Sequence, residues 1–301
     1  DDDLRWLVDY IQTNDPDGEG YYQAYTHIAP DETIMEETYE EHFYQIGGAT
    51  IFDNNGVKEL QMLWGEMDNH EGKMTRTGTC LAVYSLEGQP GNSTYLKRIS
   101  KNEEFNTDDV GYGSTIWKDE DGHIYLYVTE NNRPLVARTT THDLTSEWEY
   151  YIRDLSGNFM WQKMYPTKEE RTRSTIMENN YVCSMPQIFK KGDYYYMIGQ
   201  AVSYVHSVYL YRGETPYGPF TDQKILFNVP YAVDKIGNQY YKNLLRVNLH
   251  LELAREGELV FSTNTDANTA VDNFDFPGSA DFCRPYFYRV FNWESIYDED
   301  E

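Results

Sequence analysis

The sequence predicts an all-β fold, a five-bladed β-propeller of four-stranded antiparallel blades closed by the N- and C-terminal segments. Three observations lead to this prediction: a hairpin that recurs along the chain, an aromatic-rich composition, and little helical periodicity. Tyrosine occurs 28 times and aromatic residues make up 16% of the chain, which is typical of many short strands. A length of 301 residues is enough for one large all-β core, so we expect a single domain over residues 1–301.

The hairpin recurs four times, near residues 45–70, 111–131, 182–203 and 245–266. Each copy has a short apolar strand that ends in a large residue, a polar turn with a glycine, and a second apolar or aromatic strand. The turn glycines lie 66, 70 and 65 residues apart, and glycine adopts the positive φ of a tight turn without strain. The strand-ending residues are Phe52, Trp117, Phe189 and Leu253, and the turn glycines are Gly56, Gly122, Gly192 and Gly257.

A third and a fourth strand are expected after the first three hairpins, within residues 79–99, 133–151 and 207–227. Four antiparallel strands per repeat are typical of a propeller blade. The first 45 residues and the final strand, within residues 282–297, would then form a shared fifth blade. A β-sandwich would explain the strands but not so regular a repeat.

Two insertions, residues 152–180 and 264–281, interrupt the blade pattern, and such insertions are often binding loops. The best helical candidates are two polar surface segments, residues 35–43 and 167–180. The second of these contains a basic cluster, which we interpret as a solvated helix face. Its members are Lys168, Arg171 and Arg173.

The charge of the chain excludes several classes of partner. With 50 acidic and 25 basic residues the formal net charge is −25, which repels phosphate backbones and anionic membrane surfaces. No apolar stretch is long enough for a membrane span. Neutral polymers, cations and cationic ligands remain possible partners.

The cysteines indicate neither a disulfide framework nor a zinc site. Cys80, Cys183 and Cys283 are far apart, odd in number, and set in apolar or aromatic runs, so we expect them to be buried. The chain begins with DDDLRW rather than methionine. We interpret it as the mature part of an extracytoplasmic protein (periplasmic, surface-attached or secreted) whose signal segment is not present in this chain.

The strand pattern resembles a known family. The hairpin SMPQIFKKGDYYYMIGQ (184–200) and the outer-strand segments VARTTTHDLTSEWEYY (136–151) and LYRGETPYGPF (210–220) are similar to the five-bladed propellers of glycoside hydrolase family 43. The last repeat, LHLELAREGELVFSTNT (249–265) with FCRPYFYRV (282–290), resembles uncharacterised secreted propellers of the Bacteroidetes type, a domain of unknown function. The resemblance implies a propeller with a carbohydrate-related activity and an oligo- or polysaccharide as its partner.

The family 43 catalytic acid is not matched. The resemblance implies a general acid two residues before the blade proline, because glycoside hydrolysis needs a protonated and an ionised carboxyl group. Aligning the hairpins on their strand-ending residues puts Gly47, Tyr112, Ser184 and Asn248 at this position. None is an acid, and Ser184 stands two residues before Pro186. We therefore do not expect the family 43 mechanism.

A different carboxylate set is expected at the rim where strand one begins and strand two ends, because these ends meet in an antiparallel hairpin. Carboxylates there could perform acid–base chemistry or hold Ca²⁺, and in so acidic a chain some would be only solvated. The candidate catalytic residues are Glu66, Asp68, Glu130 and Asp109, and the other polar rim residues are His70, Asp108, Gln200, Asn264 and Asp266.

Several residues are candidates for substrate binding. His250 and Glu252 are expected on strand one, either as a structural charge pair with Arg246 or Arg284, or as a base or cation ligand. In the insertions, aromatic residues could stack on sugar rings or anchor the loops. They are Trp161, Phe274 and Phe276. The predicted substrate-binding residues are Tyr112, Ser184, Gln200, Asn248, His250, Trp161 and Asn264.

These observations lead to three functional hypotheses. The first is an extracytoplasmic carbohydrate-active propeller that hydrolyses glycans with a carboxylate set different from that of family 43. The second is a glycan-binding propeller without catalysis. The third is a protein-interaction scaffold, because a propeller fold does not by itself specify a function.

Overall fold

The computed structural model describes residues 42–70, 73–88, 96–106, 110–179, 181, 183–201, 206–230, 243–266 and 285–300. They form an all-β, propeller-like fold of mostly antiparallel sheets. The chain divides into two compact units. The first unit is Asp1–Leu126 with Arg138–Trp148, and the second is Tyr127–Ala137 with Glu149–Glu301.

The first sheet contains the first predicted hairpin and lies in the first unit. Its two-residue turn, Asn55 and Gly56, has positive φ at both positions (54° and 90°), the geometry that suits the twist of a hairpin. One face of the sheet buries the core cluster Tyr44, Met62, Trp64, Cys80, Ala82 and Tyr84. The strands, paired in chain order, are β1 His42–Asn54, β2 Val57–His70, β3 Lys73–Ser85 and β4 Arg98–Asn106.

The second sheet has five strands, one more than a predicted blade. The extra strand comes from the insertion 152–180 and pairs with its predecessor so that Tyr151 lies opposite Trp161. The strands, again in chain order, are β5 Thr115–Lys118, β6 Ile124–Glu130, β7 Arg133–Thr139, β8 Trp148–Arg153 and β9 Phe159–Gln162.

Helix α1, Lys168–Arg173, follows the second sheet. The helix predicted over residues 167–180 is therefore shorter than expected. It begins with a capping box, in which the Thr167 side chain accepts a hydrogen bond from the Glu170 backbone N–H and the Glu170 carboxylate accepts one from the Thr167 backbone N–H. It ends at Ser174, whose hydroxyl donates a hydrogen bond to the Glu170 carbonyl.

The third sheet contains the hairpin of residues 184–200 and lies in the second unit. Its turn residue Gly192 has φ +59°. The two central strands, β11 and β12, are rich in tyrosine and largely buried. The strands, in chain order, are β10 Ser184–Lys191, β11 Tyr194–Gln200, β12 Ser207–Gly213 and β13 Thr221–Asn228.

The fourth sheet corrects two predictions. Its strands are β14 Asn243–Leu249, β15 Glu258–Asp266 and β16 Tyr286–Phe291. Leu253, aligned with the ends of the other first strands, instead ends a short 3-10 helix, Leu251–Leu253. His250 and Glu252 are therefore not strand residues: the strand ends at Leu249, and His250 caps the 3-10 helix.

The predicted five-blade count differs from the four sheets that the described residues form. The final strand was expected in a shared fifth blade, but β16 pairs with β15 as the third strand of the fourth sheet. The pairing stacks Tyr288 on Phe261, with ring centroids 5.5 Å apart, which favours this sheet. Residues 1–41, which make up most of the other part of the predicted fifth blade, lie outside the described residues. The helix predicted over residues 35–43 falls mostly in this range, and its last two residues, His42 and Phe43, instead begin β1.

The chain ends in a 3-10 helix, Trp293–Asp300. Trp293 and Tyr297 of this helix are buried against the aromatic side chains Phe189 and Tyr196 of the third sheet. Cys80 and Cys183 are buried, as predicted, and Cys283 lies outside the described residues. Within the described ranges, no helix is long and apolar enough to cross a membrane.

Candidate functional site

The first, third and fourth hairpins each have a β-bulge at the start of strand one. In each, three steps along strand one correspond to two steps along strand two, so strand one contains one extra residue. Bulges re-aim side chains and are common beside functional sites. The bulges lie between Ile46 and Ala49, between Ser184 and Gln187, and between Leu245 and Asn248.

The register of these bulges corrects the alignment made from the sequence. The residues equivalent to Ser184 are Ile46 and Leu245, rather than Gly47 and Asn248. Phe52 lies three residues after its bulge and Phe189 only two, and Leu253 is not in a strand, so these residues are not equivalent anchors for the alignment. The corrected positions still contain no acid. The residues opposite them on strand two are Trp64, Gln200 and Asn264.

In the second unit, hydrogen bonds connect the end of β6 to the start of β10. The Thr129 hydroxyl donates to the Cys183 carbonyl at 3.4 Å and accepts from the Met185 backbone N–H at 3.2 Å. The Asn132 carbonyl accepts from the Cys183 N–H at 2.9 Å. Ser184 is half-buried between these contacts. The geometry fixes the backbone on both sides of Ser184.

A second set of hydrogen bonds joins β10 to β14. The Gln187 side-chain NH₂ donates to the Asn248 side-chain oxygen at 3.3 Å, and its own oxygen accepts from the Leu249 N–H at 2.7 Å. Gln187 and Asn248 are each the first paired residue after a bulge. This amide clamp therefore makes the two bulges neighbours. Thr129, Ser184, Gln187 and Asn248 form what we name the polar row.

Other predicted binding residues border the polar row or lie further from it. Gln200 lies opposite Ser184 and is buried, with 3% of its surface exposed. Asn264 is half-buried opposite Leu245. His250 lies beyond the strand and contacts the Ser262 hydroxyl (Nε2 to Oγ, 2.8 Å) and Glu252 (Nδ1 to Oε1, 3.3 Å). This supports the structural interpretation of His250 and Glu252, although neither expected arginine is the partner in these contacts.

Glu130 follows Thr129 at the end of β6 and forms an ion pair. Arg171 of α1 donates from Nε to Glu130 Oε2 at 3.1 Å and from Nη2 to Oε1 at 3.2 Å. Arg171 is 4% exposed, so the prediction that it lies on a solvated helix face is wrong. Its partner is 41 residues away in sequence, and no local pattern in the sequence could indicate the pair.

Glu66 and Asp68 belong to the first unit. They are alternate residues of β2, lie opposite Tyr44 and His42 of β1, and are half-buried. Alternate residues of a strand project from the same face, about 7 Å apart. The predicted pair therefore shares one face and one end of the first hairpin. Asp109 lies outside the described residues.

Tyr112 and Trp161 have different surroundings. Tyr112 is 2% exposed and therefore part of the core of the first unit. Trp161 is half-buried and contacts Tyr151 (ring centroids 4.7 Å apart) and Tyr217 (5.5 Å), while Tyr151 also stacks on Phe159 at 4.9 Å. Trp161 thus anchors β9 onto its sheet. Phe274 and Phe276 lie outside the described residues.

The Ca²⁺ site among the rim carboxylates stays a prediction. Within the ranges that it describes, no three or more His, Cys, Asp or Glu side chains come close enough to hold a metal ion. Of the other rim residues, Asp108 is outside these ranges, and the side chains of His70 and Asp266 are not described.

Three solved structures illustrate what the chain is similar to. A Bacteroides ovatus ATCC 8483 protein provisionally named a hydrolase is 50% identical with a TM-score of 0.84, over 97% of this chain and 73% of that chain. An exo-β-1,3-galactanase from Phanerochaete chrysosporium is 11% identical with a TM-score of 0.43, over 82% and 46% of the two chains. A family 43 arabinoxylan arabinofuranohydrolase from Bacillus subtilis is 13% identical with a TM-score of 0.41, over 80% and 46%.

The sequence comparisons are more specific. No curated protein matches the chain. The model of a domain of unknown function, DUF5005, matches residues 3–293. Because this match spans nearly the whole sequence, the chain belongs to the DUF5005 family.

Proposed function

We propose that the chain is a carbohydrate-binding propeller that holds a glycan against the polar row. The observation that supports this most directly is the continuity of hydroxyl and amide groups over the ends of β6, β10 and β14. Sugars offer many hydroxyl groups, and neutral side chains that both donate and accept hydrogen bonds match them.

The character of the rim favours a sugar over other ligands. The polar side chains here are uncharged, namely Ser184, Gln187, Gln200 and Asn248. The last paired residue before each bulge is also not an acid. The formal net charge of −25 makes nucleic acid a poor ligand. A row of neutral polar groups is therefore proposed as the recognition surface, in a protein that acts outside the cytoplasm.

Glycan hydrolysis is the second candidate function. Glu66 and Asp68 lie on one face of β2, with Cα atoms about 7 Å apart. This backbone spacing is compatible with carboxyl groups about 5–9 Å apart, the range used by glycosidases. The 50% identical Bacteroides ovatus protein is provisionally named a hydrolase. Glu130 is omitted from the proposed pair because both of its carboxylate oxygens bind Arg171.

One experiment tests both functions. The wild type is screened against plant and host glycans, with binding measured by calorimetry and cleavage by reducing-end release. Binding without cleavage supports the first function alone. Cleavage that is lost in Glu66→Gln and in Asp68→Asn, but kept in the control Glu59→Gln at the other end of the same strand, adds the second. No binding to any glycan would overturn the proposal.

A further inference from the structure

Two neighbouring bulges present residues in an unusual backbone conformation. Met185 has φ 49° and Arg246 has φ 48°, both in the left-handed region. Ser184 and Leu245 are the last paired residues before the two bulges, and Met185 and Arg246 directly follow them. The two residues therefore occupy the same position in the third and fourth sheets.

The residue types make this conformation informative. Nine non-glycine residues with positive φ occur among the described residues, and six of them are Asn or Asp, the types that tolerate it best. The other three are Leu96, Met185 and Arg246. Glycine would adopt this conformation without strain, so a large side chain at both bulges costs stability. Strain of this kind often accompanies a functional site.

Both side chains are exposed, and the residues that follow them are buried. Met185 is 42% exposed and Arg246 is also exposed, whereas Pro186 and Val247 are buried. The amide clamp between Gln187 and Asn248 lies two residues after each of them. The bulges thus bring a thioether and a guanidinium to neighbouring positions beside the polar row.

The charge of Arg246 suggests what these residues recognise. The described residues give it no ion pair, although the chain has twice as many acidic as basic residues. A guanidinium binds a carboxylate through two parallel hydrogen bonds. A methionine side chain offers a flexible apolar surface, which suits the C–H face of a sugar ring.

We propose that Met185 and Arg246 form a subsite for a uronic acid, with Arg246 binding its carboxylate and Met185 packing on its ring. This inference rests on the proposed function, since it names the class of glycan that the polar row holds. A glycan of neutral sugars alone would offer the guanidinium no carboxylate.

The test uses acidic glycans and their neutral counterparts. Binding of the full chain to oligogalacturonates and to glucuronoxylan oligosaccharides is measured by calorimetry, before and after chemical reduction of the carboxyl groups. We expect at least one acidic form to bind about tenfold more tightly than its reduced form. Arg246→Gln should remove this difference by weakening the binding of the acidic form.

Glycine variants separate recognition from folding. Arg246→Gly should raise Tm, because it relieves the backbone strain, and yet lose the preference for the acidic form. Met185→Gly should also raise Tm, but it should weaken the binding of the acidic and the reduced glycan equally. Asn292→Gly is the matched control: Asn292 is exposed with φ 52° in a turn outside the polar row, and its replacement should leave binding unchanged.

Two results would overturn the inference alone. One is equal affinity for the acidic and reduced forms, or binding to neutral glycans only. The other is a preference for the acidic form that persists in Arg246→Gln. No binding to any acidic, reduced or neutral glycan would instead overturn the proposed function, and the uronate subsite with it.

Discussion

Arg171 engages both carboxylate oxygens of Glu130, with Nε 3.1 Å from Oε2 and Nη2 3.2 Å from Oε1. The side chains are only 3% and 18% exposed. Arg171 also donates from Nη1 to the Pro166 carbonyl at 3.0 Å and lies over the Tyr165 ring. This bidentate pair fixes helix α1 to the end of β6, beside the polar row.

The first prediction concerns the stability that depends on this pair. Removing one partner of a buried ion pair leaves the other charge uncompensated, at a cost of about 3 kcal/mol. Glu130→Gln should therefore lower the free energy of unfolding by about this amount. The double variant Glu130→Gln with Arg171→Met should recover much of the loss. Urea denaturation of the wild type, Glu130→Gln, Arg171→Met and the double variant measures the coupling between the two sites.

The same variants decide whether Glu130 acts in catalysis. We expect folded Glu130→Gln protein to bind glycans as the wild type does, and to retain any glycan cleavage that the wild type shows. A Glu130→Gln protein of normal stability that has lost cleavage would show that this carboxylate is a catalytic group instead.

The second prediction concerns the C-terminal 3-10 helix. Tyr297 is 6% exposed, and its ring centroid lies 4.6 Å from the Arg212 guanidinium carbon, which is also 4.6 Å from the Tyr194 ring centroid. Within the described residues the Tyr297 hydroxyl has no hydrogen-bond partner. Because an unsatisfied buried hydroxyl is costly, Tyr297→Phe should stabilise the fold by about 1 kcal/mol.

A cavity variant in the same helix provides the contrast. Trp293 is 3% exposed and packs edge-on against Tyr196, with ring centroids 5.0 Å apart. Trp293→Ala should cost about 3–5 kcal/mol. Thermal melts of both variants test the contribution of this helix, and a neutral Trp293→Ala would show that it contributes little to stability.

The third prediction concerns alkaline pH. Burial raises the pKa of the Tyr84 phenol to about 12, against an ordinary value of 10.0. Above pH 10 the unfolded chain releases this proton more readily than the folded chain. Stability from Tyr84 is therefore present below pH 10 and is lost as pH rises toward 12.

Urea midpoints measured from pH 8 upward give the test. The midpoint of the wild type should fall above about pH 10, and Tyr84→Phe should fall less steeply. Burial also raises the pKa values of Tyr125, Tyr211 and Tyr297, so part of the fall should remain. Identical slopes for the wild type and Tyr84→Phe would contradict the assignment.

The fourth prediction concerns the packing beneath Ser184. A Cβ on Gly199 would overlap Cys183 Sγ and lie 3.0 Å from the Ser184 carbonyl oxygen. Gly199→Ala should therefore destabilise the protein and disturb the start of β10. Cys183→Ala should relieve part of this overlap. A double-mutant cycle by urea denaturation checks the coupling, and strictly additive effects of the two substitutions would show that the side chains do not interact.

Local sequence signals predicted the strands well. The four hairpins, the outer strands of the first three sheets and the burial of Cys80 and Cys183 all follow from apolar runs separated by glycine turns. The fourth sheet was misread because LHLEL alternates like a strand, whereas the strand stops at Leu249 and a 3-10 helix follows.

The candidate site was harder to predict, because it depends on register and on distant partners. Phe52 lies one residue further from its bulge than Phe189 does, so the equivalent of Ser184 is Ile46 rather than Gly47. No sequence pattern shows that Met185 and Arg246 have positive φ, and Arg171 pairs with a residue 41 positions away. Spacing alone cannot reveal such contacts.

The most direct test of the central claim is a crystal structure of the full chain with an oligosaccharide selected by the glycan screen. Our account predicts that the sugar lies within hydrogen-bonding distance of polar-row residues, Ser184 and Asn248 among them. A saccharide bound elsewhere on the protein, with no contact to the polar row, would contradict it.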